Sequence, residues 1–423
     1  MKRRKFTENS ASCPESHDAA RRPAGNDDKS VRSILQKVSG EYCIKCRRIL
    51  QKVSEEYGRE KEVRRMKKNG SMGGTGKMRP PHVKRLGAAG VGAGLLALPV
   101  YGMANLLFET AILRDNSRSL LEQKWVKQLA GRMEEVFAKR AKPLEEGETE
   151  KGLSFDAFAD EVDIGKHWFW AQEKERITMK SLDGLRLAAY YLPAKEASDR
   201  VLILMHGYRN DGFGDFAGLV RFYHEAGFHL LVPHQRSHGE SDGKYICFGV
   251  KERYDLKQWS EYIAKRFQGN CKIFLSGISM GGATVLMAAG LELPEQVKGI
   301  IADCAFTSPW DIFASVLQTS FHLPKTPVLN VADLICRRRA GFAFKECSTI
   351  ECMRANSIPV LFIHGGADTF VPTRMSYENY EACTAKKELL IVERAAHATS
   401  NLVEPEAYRK KVMEFMEMCG NED

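Results

Sequence analysis

At 423 residues, with 43% hydrophobic and 28% charged residues, the chain is long enough for one large globular domain with polar appendages. Its formal charge of +9 is unevenly held: Met1 to Leu86 carries about 23 Lys and Arg against about 10 Asp and Glu, roughly +13, which leaves the remainder near −4. The basic balance therefore belongs to a tail, and it excludes reading the whole protein as a nucleic-acid binder.

The tail, residues 1–85, is expected to be disordered apart from a short repeat. Ile34-Leu-Gln-Lys-Val-Ser-Gly-Glu-Tyr42 returns as Ile49-Leu-Gln-Lys-Val-Ser-Glu-Glu-Tyr57, and Ile34, Leu35, Val38 and Tyr42 fall on one face of a basic amphipathic helix. Two copies do not make a solenoid. Cys43 and Cys46 form a CxxC with no second pair at zinc-finger spacing, so no metal is expected. Gly73, Gly74 and Gly76 read as a flexible joint, and Met72 or Met78 is an alternative start.

Residues 86–108, LGAAGVGAGLLALPVYGMANLLF, hold no charge and as a helix would reach roughly 34 Å, enough to cross a bilayer. No polar face interrupts the run, which favours a membrane helix or signal anchor over a buried core helix. Lys77, Arg79, Lys84 and Arg85 precede it, so the positive-inside rule puts the tail in the cytoplasm and the rest outside, with a cytoplasmic enzyme as the alternative. Residues 109–167 read as a helical arm and charged linker. Eight of the 11 cysteines lie beyond it, most simply as small core residues.

From Arg176 two strand-like runs are followed by alternating strands and helices, eight strands in all. The pattern implies an α/β fold: a mostly parallel sheet with helices on both faces. Val201 to Met205 leads into His206-Gly207-Tyr208, a loop suited to holding an oxyanion through the Tyr208 amide. Cys271 to Gly290 contains Gly277-Ile278-Ser279-Met280-Gly281, a G-x-S-x-G where a strand meets a helix. This is the setting of a nucleophile elbow, with small residues letting strand and helix pass. The Met280 amide would be the second oxyanion donor. Residues 306–356 carry apolar residues at helical spacing and read as a cap. Arg337, Arg338 and Arg339 within it read as a solvated charge run. Pro359 to His364 is a strand ending in Gly365-Gly-Ala-Asp368, and Lys387 to Val392 is followed by a loop holding His397. Asp303, at the end of the strand after the elbow helix, is an alternative to Asp368 as the acid. His206 and His238 are rival bases.

Those stretches, with Ser181-Leu-Asp-Gly-Leu-Arg186, RSHGESDG at Arg236 to Gly243, IHGGADTFVP at Ile363 to Pro372 and AAHA at Ala395 to Ala398, resemble an α/β-hydrolase from about Trp168 to the end, specifically a bacterial, membrane-anchored serine hydrolase of the esterase and peptidase-like kind. One departure is His234, which stands where relatives commonly have aspartate. The resemblance implies hydrolysis of an ester, thioester or amide through Ser279, His397 and Asp368, with a small-molecule or peptide acyl substrate and no cofactor. A catalytically silent binding module of the same fold, held at the membrane, is the alternative.

Overall fold

A computed structural model of the chain describes residues 100–114, 153–210 and 212–421. The chain divides into two units after Gly90; the first unit, with the repeat, the CxxC and the glycine joint, lies outside the described residues. So do residues 91–99 and most of the linker, 115–152.

The second unit is built on one eight-stranded sheet: β1 (Glu175–Lys180), β2 (Arg186–Leu192), β3 (Arg200–Met205), β4 (His229–His234), β5 (Lys272–Ile278), β6 (Val297–Asp303), β7 (Val360–Gly365) and β8 (Lys387–Val392). Their spatial order is β1-β2-β4-β3-β5-β6-β7-β8. The β1–β2 and β2–β4 pairs are antiparallel and all others parallel, as the alternation of strands and helices predicts. The central strands are near-continuous apolar runs because both sheet faces are covered. Alternate residues of each feed separate cores: Val201, Ile203, Ile273 and Leu275 pack on one face, and Leu202, Leu204, Phe274 and Ile278 on the other. The register pairs Ile278 with Asp303, and Asp303 with Ile363, so the carboxyl ends of β5, β6 and β7 reach the same level. Loops leaving those ends therefore converge on one crevice.

The described part of α1 spans residues 100–112, and its last turn, Phe108–Ile112, is π-helical. This corrects the sequence boundaries. The sequence reads residues 100–108 as the end of a membrane helix, but Ala104, Phe108 and Ile112, every fourth residue, are buried in the core of the second unit. The part of the uncharged run that precedes them, residues 86–99, would reach only about 21 Å as a helix, short of the ~30 Å hydrocarbon core. Among the described residues, no helix is long and apolar enough to cross a membrane.

The remaining helices are α2 (Ala159–Ala171), α3 (Ala217–Glu225), α4 (Glu252–Arg266), α5 (Met280–Ala288), α6 (Pro309–Thr319), α7 (Val328–Arg339), α8 (Thr349–Ala355), α9 (Arg374–Ala382), α10 (Ser400–Val403) and α11 (Pro405–Gly420). The domain start expected at Trp168 falls inside α2, whose Gly165 lies against the Ala217 carbonyl of α3. The cap begins where Ser308 accepts the Asp311 N–H and Pro309 takes the first helical position, a stop-and-start signal that turns the chain away from the sheet. It consists of α6 and α7. Helix α8 belongs instead to the layer on the sheet, where the Thr349 hydroxyl meets Asn379 of α9 at 2.5 Å. The arginine run at the end of α7 is exposed, as its reading as a charge run expects, though two of its members also make contacts. Arg337 pairs with Asp333 at 2.9 Å, and Arg339 bonds Asn105 at 2.9 Å while its guanidinium lies over the Phe108 ring at 4.4 Å.

Candidate active site

Ser279 stands at the junction of β5 and α5 with φ 58° and ψ −114°, a left-handed conformation costly for any residue but glycine. Two glycines make that turn possible. A Cβ on Gly277 would sit 2.1 Å from the Gly281 carbonyl oxygen, and one on Gly281 would sit 1.8 Å from that of Met205. The Ser279 N–H donates to the Asp303 carbonyl at 2.9 Å, tying the turn to the neighbouring strand.

The structure brings together the three residues that the motifs single out. Ser279 Oγ is 2.8 Å from His397 Nε2, and His397 Nδ1 is 2.7 Å from Asp368 Oδ2. The other Asp368 oxygen accepts the Phe370 and Val371 N–H groups, each at 2.9 Å. Burial works against the Asp368 charge, but hydrogen bonds from His364 and His397 outweigh it and hold the carboxyl well below the usual carboxylate range. The Phe370 ring meets His397 edge-on at 5.0 Å and covers the imidazole.

His364 is a participant that the sequence reading passed over as a strand residue. Fully buried, its Nε2 lies 3.2 Å from Asp368 Oδ2 and 2.9 Å from the Val371 carbonyl, and its Nδ1 faces the Ser376 hydroxyl at 2.6 Å. Asp215 is another. It accepts the Gly207 N–H at 2.6 Å and the Asn210 side-chain amide at 2.6 Å, fixing the loop after β3. The only sequence signals for either were a histidine closing β7 and an acid just beyond the HGYRND stretch.

Asp303, the alternative acid, makes no such contact. Its carboxylate is fully buried without a hydrogen bond, among the Tyr223 and Tyr408 hydroxyls, and burial pushes its pKa up to about 6. Its main chain, not its side chain, serves the elbow. The rival bases also fall away. His206 Nε2 accepts the Gln235 N–H at 3.0 Å, and His238 Nε2 accepts the Arg209 N–H at 3.0 Å. Burial lowers both pKa values, that of His238 to about 4, so both rings are neutral acceptors bracing loops. His234 likewise accepts the Glu240 N–H at 2.9 Å through Nδ1. Cys304, Asp368 and His397 put ligating atoms within 4.8 Å of one another, but the Asp368–His397 hydrogen bond already engages two of them, and burial keeps the Cys304 thiol protonated.

Tyr208 and Met280, whose amides the sequence offers as oxyanion donors, line the same cavity as Ser279. Met280 opens α5, so its N–H has no intrahelical acceptor. The N–H groups on either side of Tyr208 are already taken, Gly207 by Asp215 and Arg209 by His238. Leu153 fastens the opposite loop: its N–H donates to the Arg394 carbonyl at 3.0 Å, and its own carbonyl accepts the Thr399 hydroxyl at 3.0 Å. A cavity of about 300 Å³ opens over Ser279, between α1 and the cap. Among its described lining side chains only Thr110, Tyr208 and Ser279 are polar, and none is charged.

Comparison with known proteins agrees with this architecture. Residues 196–338 match the family model described as serine aminopeptidase, S33. The protein YqkD of Bacillus subtilis, itself described as uncharacterized, is 29% identical over 249 residues, covering 59% of this chain and 81% of that one. The likewise uncharacterized YfhR of Escherichia coli (strain K12) is 24% identical over 254 residues, covering 58% and 81%. Among solved structures, the Pyrococcus furiosus esterase Pf2001 superposes with a TM-score of 0.50 at 21% identity, over 60% of this chain and 93% of that one. The fold is that of the α/β-hydrolases, and the family match supports a hydrolase.

Proposed function

We propose that the protein is a serine hydrolase that cleaves esters of apolar acyl groups, and the observation that carries this is the unbroken hydrogen-bonded line from Ser279 through His397 to Asp368 at the floor of an apolar cavity. Ser279 Oγ attacks the acyl carbonyl as His397 Nε2 takes its proton. The ionised Asp368 holds the imidazole tautomer and stabilises the imidazolium that forms. The Tyr208 and Met280 amides receive the negative charge developing on the carbonyl oxygen. His397 then returns the proton to the leaving alcohol and activates water, which cleaves the acyl-enzyme.

An aminopeptidase reading, suggested by the description of the matching family, is weaker on physical grounds. A substrate with a free amino terminus must bury an ammonium next to the scissile bond, and an unpaired buried charge is costly. None of the described lining side chains is a carboxylate that could pair with it. The test is labelling by a fluorophosphonate probe alongside hydrolysis of p-nitrophenyl esters and aminoacyl p-nitroanilides. Ester turnover with labelling at Ser279, both lost in Ser279→Ala while the melting temperature is kept, is the expected result. A folded wild-type chain that takes no label, or a Ser279→Ala variant within tenfold of wild type, would favour the silent binding module.

A further inference from the structure

Helix α1 precedes the hydrolase motifs in sequence, yet it completes the pocket. The stripe Ala104, Phe108 and Ile112 is anchored in the core, which turns the adjoining face, Met103, Leu106, Leu107, Thr110 and Ala111, onto the cavity that holds Ser279. Phe313 and Leu317 of α6 contribute from the cap. The carboxyl end of α1 is fastened as well. The last carbonyls of a helix have no intrahelical donor. Here Tyr208 Oη donates to the carbonyls of Thr110 and Ala111, both at 3.1 Å, and the Arg209 guanidinium donates to those of Thr110, Leu113 and Arg114 at 2.9, 2.6 and 2.9 Å. The two side chains that grip α1 thus belong to the loop whose Tyr208 amide is the oxyanion donor.

We propose that α1 is a working part of the active site: it forms the wall along which a fatty acyl chain lies, and its clasp by Tyr208 and Arg209 makes Arg209 a positioning residue for the oxyanion amide. This rests on the serine-hydrolase reading above and names its substrate class, esters of long acyl chains. Polarity and direction both follow from the helix. Thr110 and Ala111, held by Tyr208, mark the catalytic end. Met103 lies two turns farther along, about 11 Å away at 1.5 Å per residue, with Leu106 and Leu107 between. A short acyl group would touch only the Thr110 end, whereas a long one must pass Leu107 and reach Met103.

The experiment uses the full chain in detergent with p-nitrophenyl acetate, butyrate, octanoate, laurate and palmitate. Wild type is expected to prefer the long esters. Met103→Trp should lower kcat/KM on laurate and palmitate at least tenfold more than on acetate and butyrate, and Leu107→Trp should move the cut-off to octanoate. Arg209→Ala should lower kcat about tenfold or more at every chain length with KM within about threefold, since a displaced oxyanion donor weakens only the transition state. Arg209→Lys, which keeps one donor, should fall between, and it serves if the alanine variant does not fold. An unchanged chain-length profile in both tryptophan variants, or Arg209 variants altered only in KM, overturns the proposal even though the wild type is active and takes the fluorophosphonate label. A wild type that neither labels nor hydrolyses any ester overturns the serine-hydrolase reading itself.

Discussion

Two aspartates stand at or just beyond the ends of neighbouring strands, and the sequence favours Asp368 over Asp303 as the partner of His397. Their surroundings separate them. Asp368 meets His397 at 2.7 Å and has its other oxygen held by two amides, while the Asp303 carboxylate is buried without a hydrogen bond. Asp368→Asn is therefore expected to cost on the order of 10⁴ in turnover, with the fold kept, because the imidazole is then held in the wrong tautomer. Asp303→Asn should stay within tenfold of wild type. Its effect belongs to stability. A carboxyl raised from 3.8 to about 6 by burial keeps its proton in the folded state after the unfolded chain has lost it, so wild-type stability falls as pH rises from about 4 to 6 and stays reduced above. The penalty at neutral pH is roughly 3 kcal/mol. Thermal melts should show Asp303→Asn above wild type at pH 7.5 and the gap closing toward pH 4; a gap that widens on acidification would contradict the assignment. Ser279, Asp368 and His397 were legible because each sits in a short pattern at a strand's carboxyl end. His364 and Asp215 were not, since their roles depend on contacts across turns whose course no local pattern states.

The elbow is an element whose geometry follows directly from its residue sizes. Gly281→Ala would drive a methyl into the Met205 carbonyl, a backbone atom that cannot rotate aside. It is expected to destabilise the protein by about 3 kcal/mol or more, beyond the usual range for overpacking, and to abolish turnover. A Gly281→Ala melt within a few degrees of wild type would show that strand and helix are less closely set. The strand number and the mostly parallel sheet were readable because parallel strands covered on both faces are written as short apolar runs between helices. The role of α1 was hidden by the same physics that suggested a membrane. An uncharged helix with no polar face meets lipid or an apolar pocket equally well, and only the stripe of Ala104, Phe108 and Ile112 against the core tells which. The end of the cap was misplaced for a related reason: α8 has the same apolar spacing as α6 but spends it on the sheet layer.

Charge and apolar length together bear on how the whole molecule meets a membrane. Residues 100–108 belong to the sheet-bearing unit, residues 86–99 of the uncharged run precede them, and a tail of roughly +13 lies ahead of that run. Surface attachment to anionic lipid is the expected behaviour. The full chain should float with phosphatidylglycerol vesicles at low salt and be released by carbonate or high salt; carbonate resistance would restore a spanning anchor. The candidate site meanwhile has fastenings ahead of Trp168, at α1 on the loop after β3 and at Leu153 on the loop that holds His397. The stretch that carries the hydrolase motifs, from about Trp168 onward, is thus shorter than the described unit that includes both fastenings. A chain begun at Trp168 would keep Ser279, Asp368 and His397 and lose both fastenings, and it is expected to melt lower and turn over at least tenfold more slowly than the full chain. Equal melting and rate would make the hydrolase motifs autonomous. The expected outcome makes the amino-terminal segment a cooperative partner of the catalyst, so that selection on it is selection on catalysis, however little its own sequence advertises the fact.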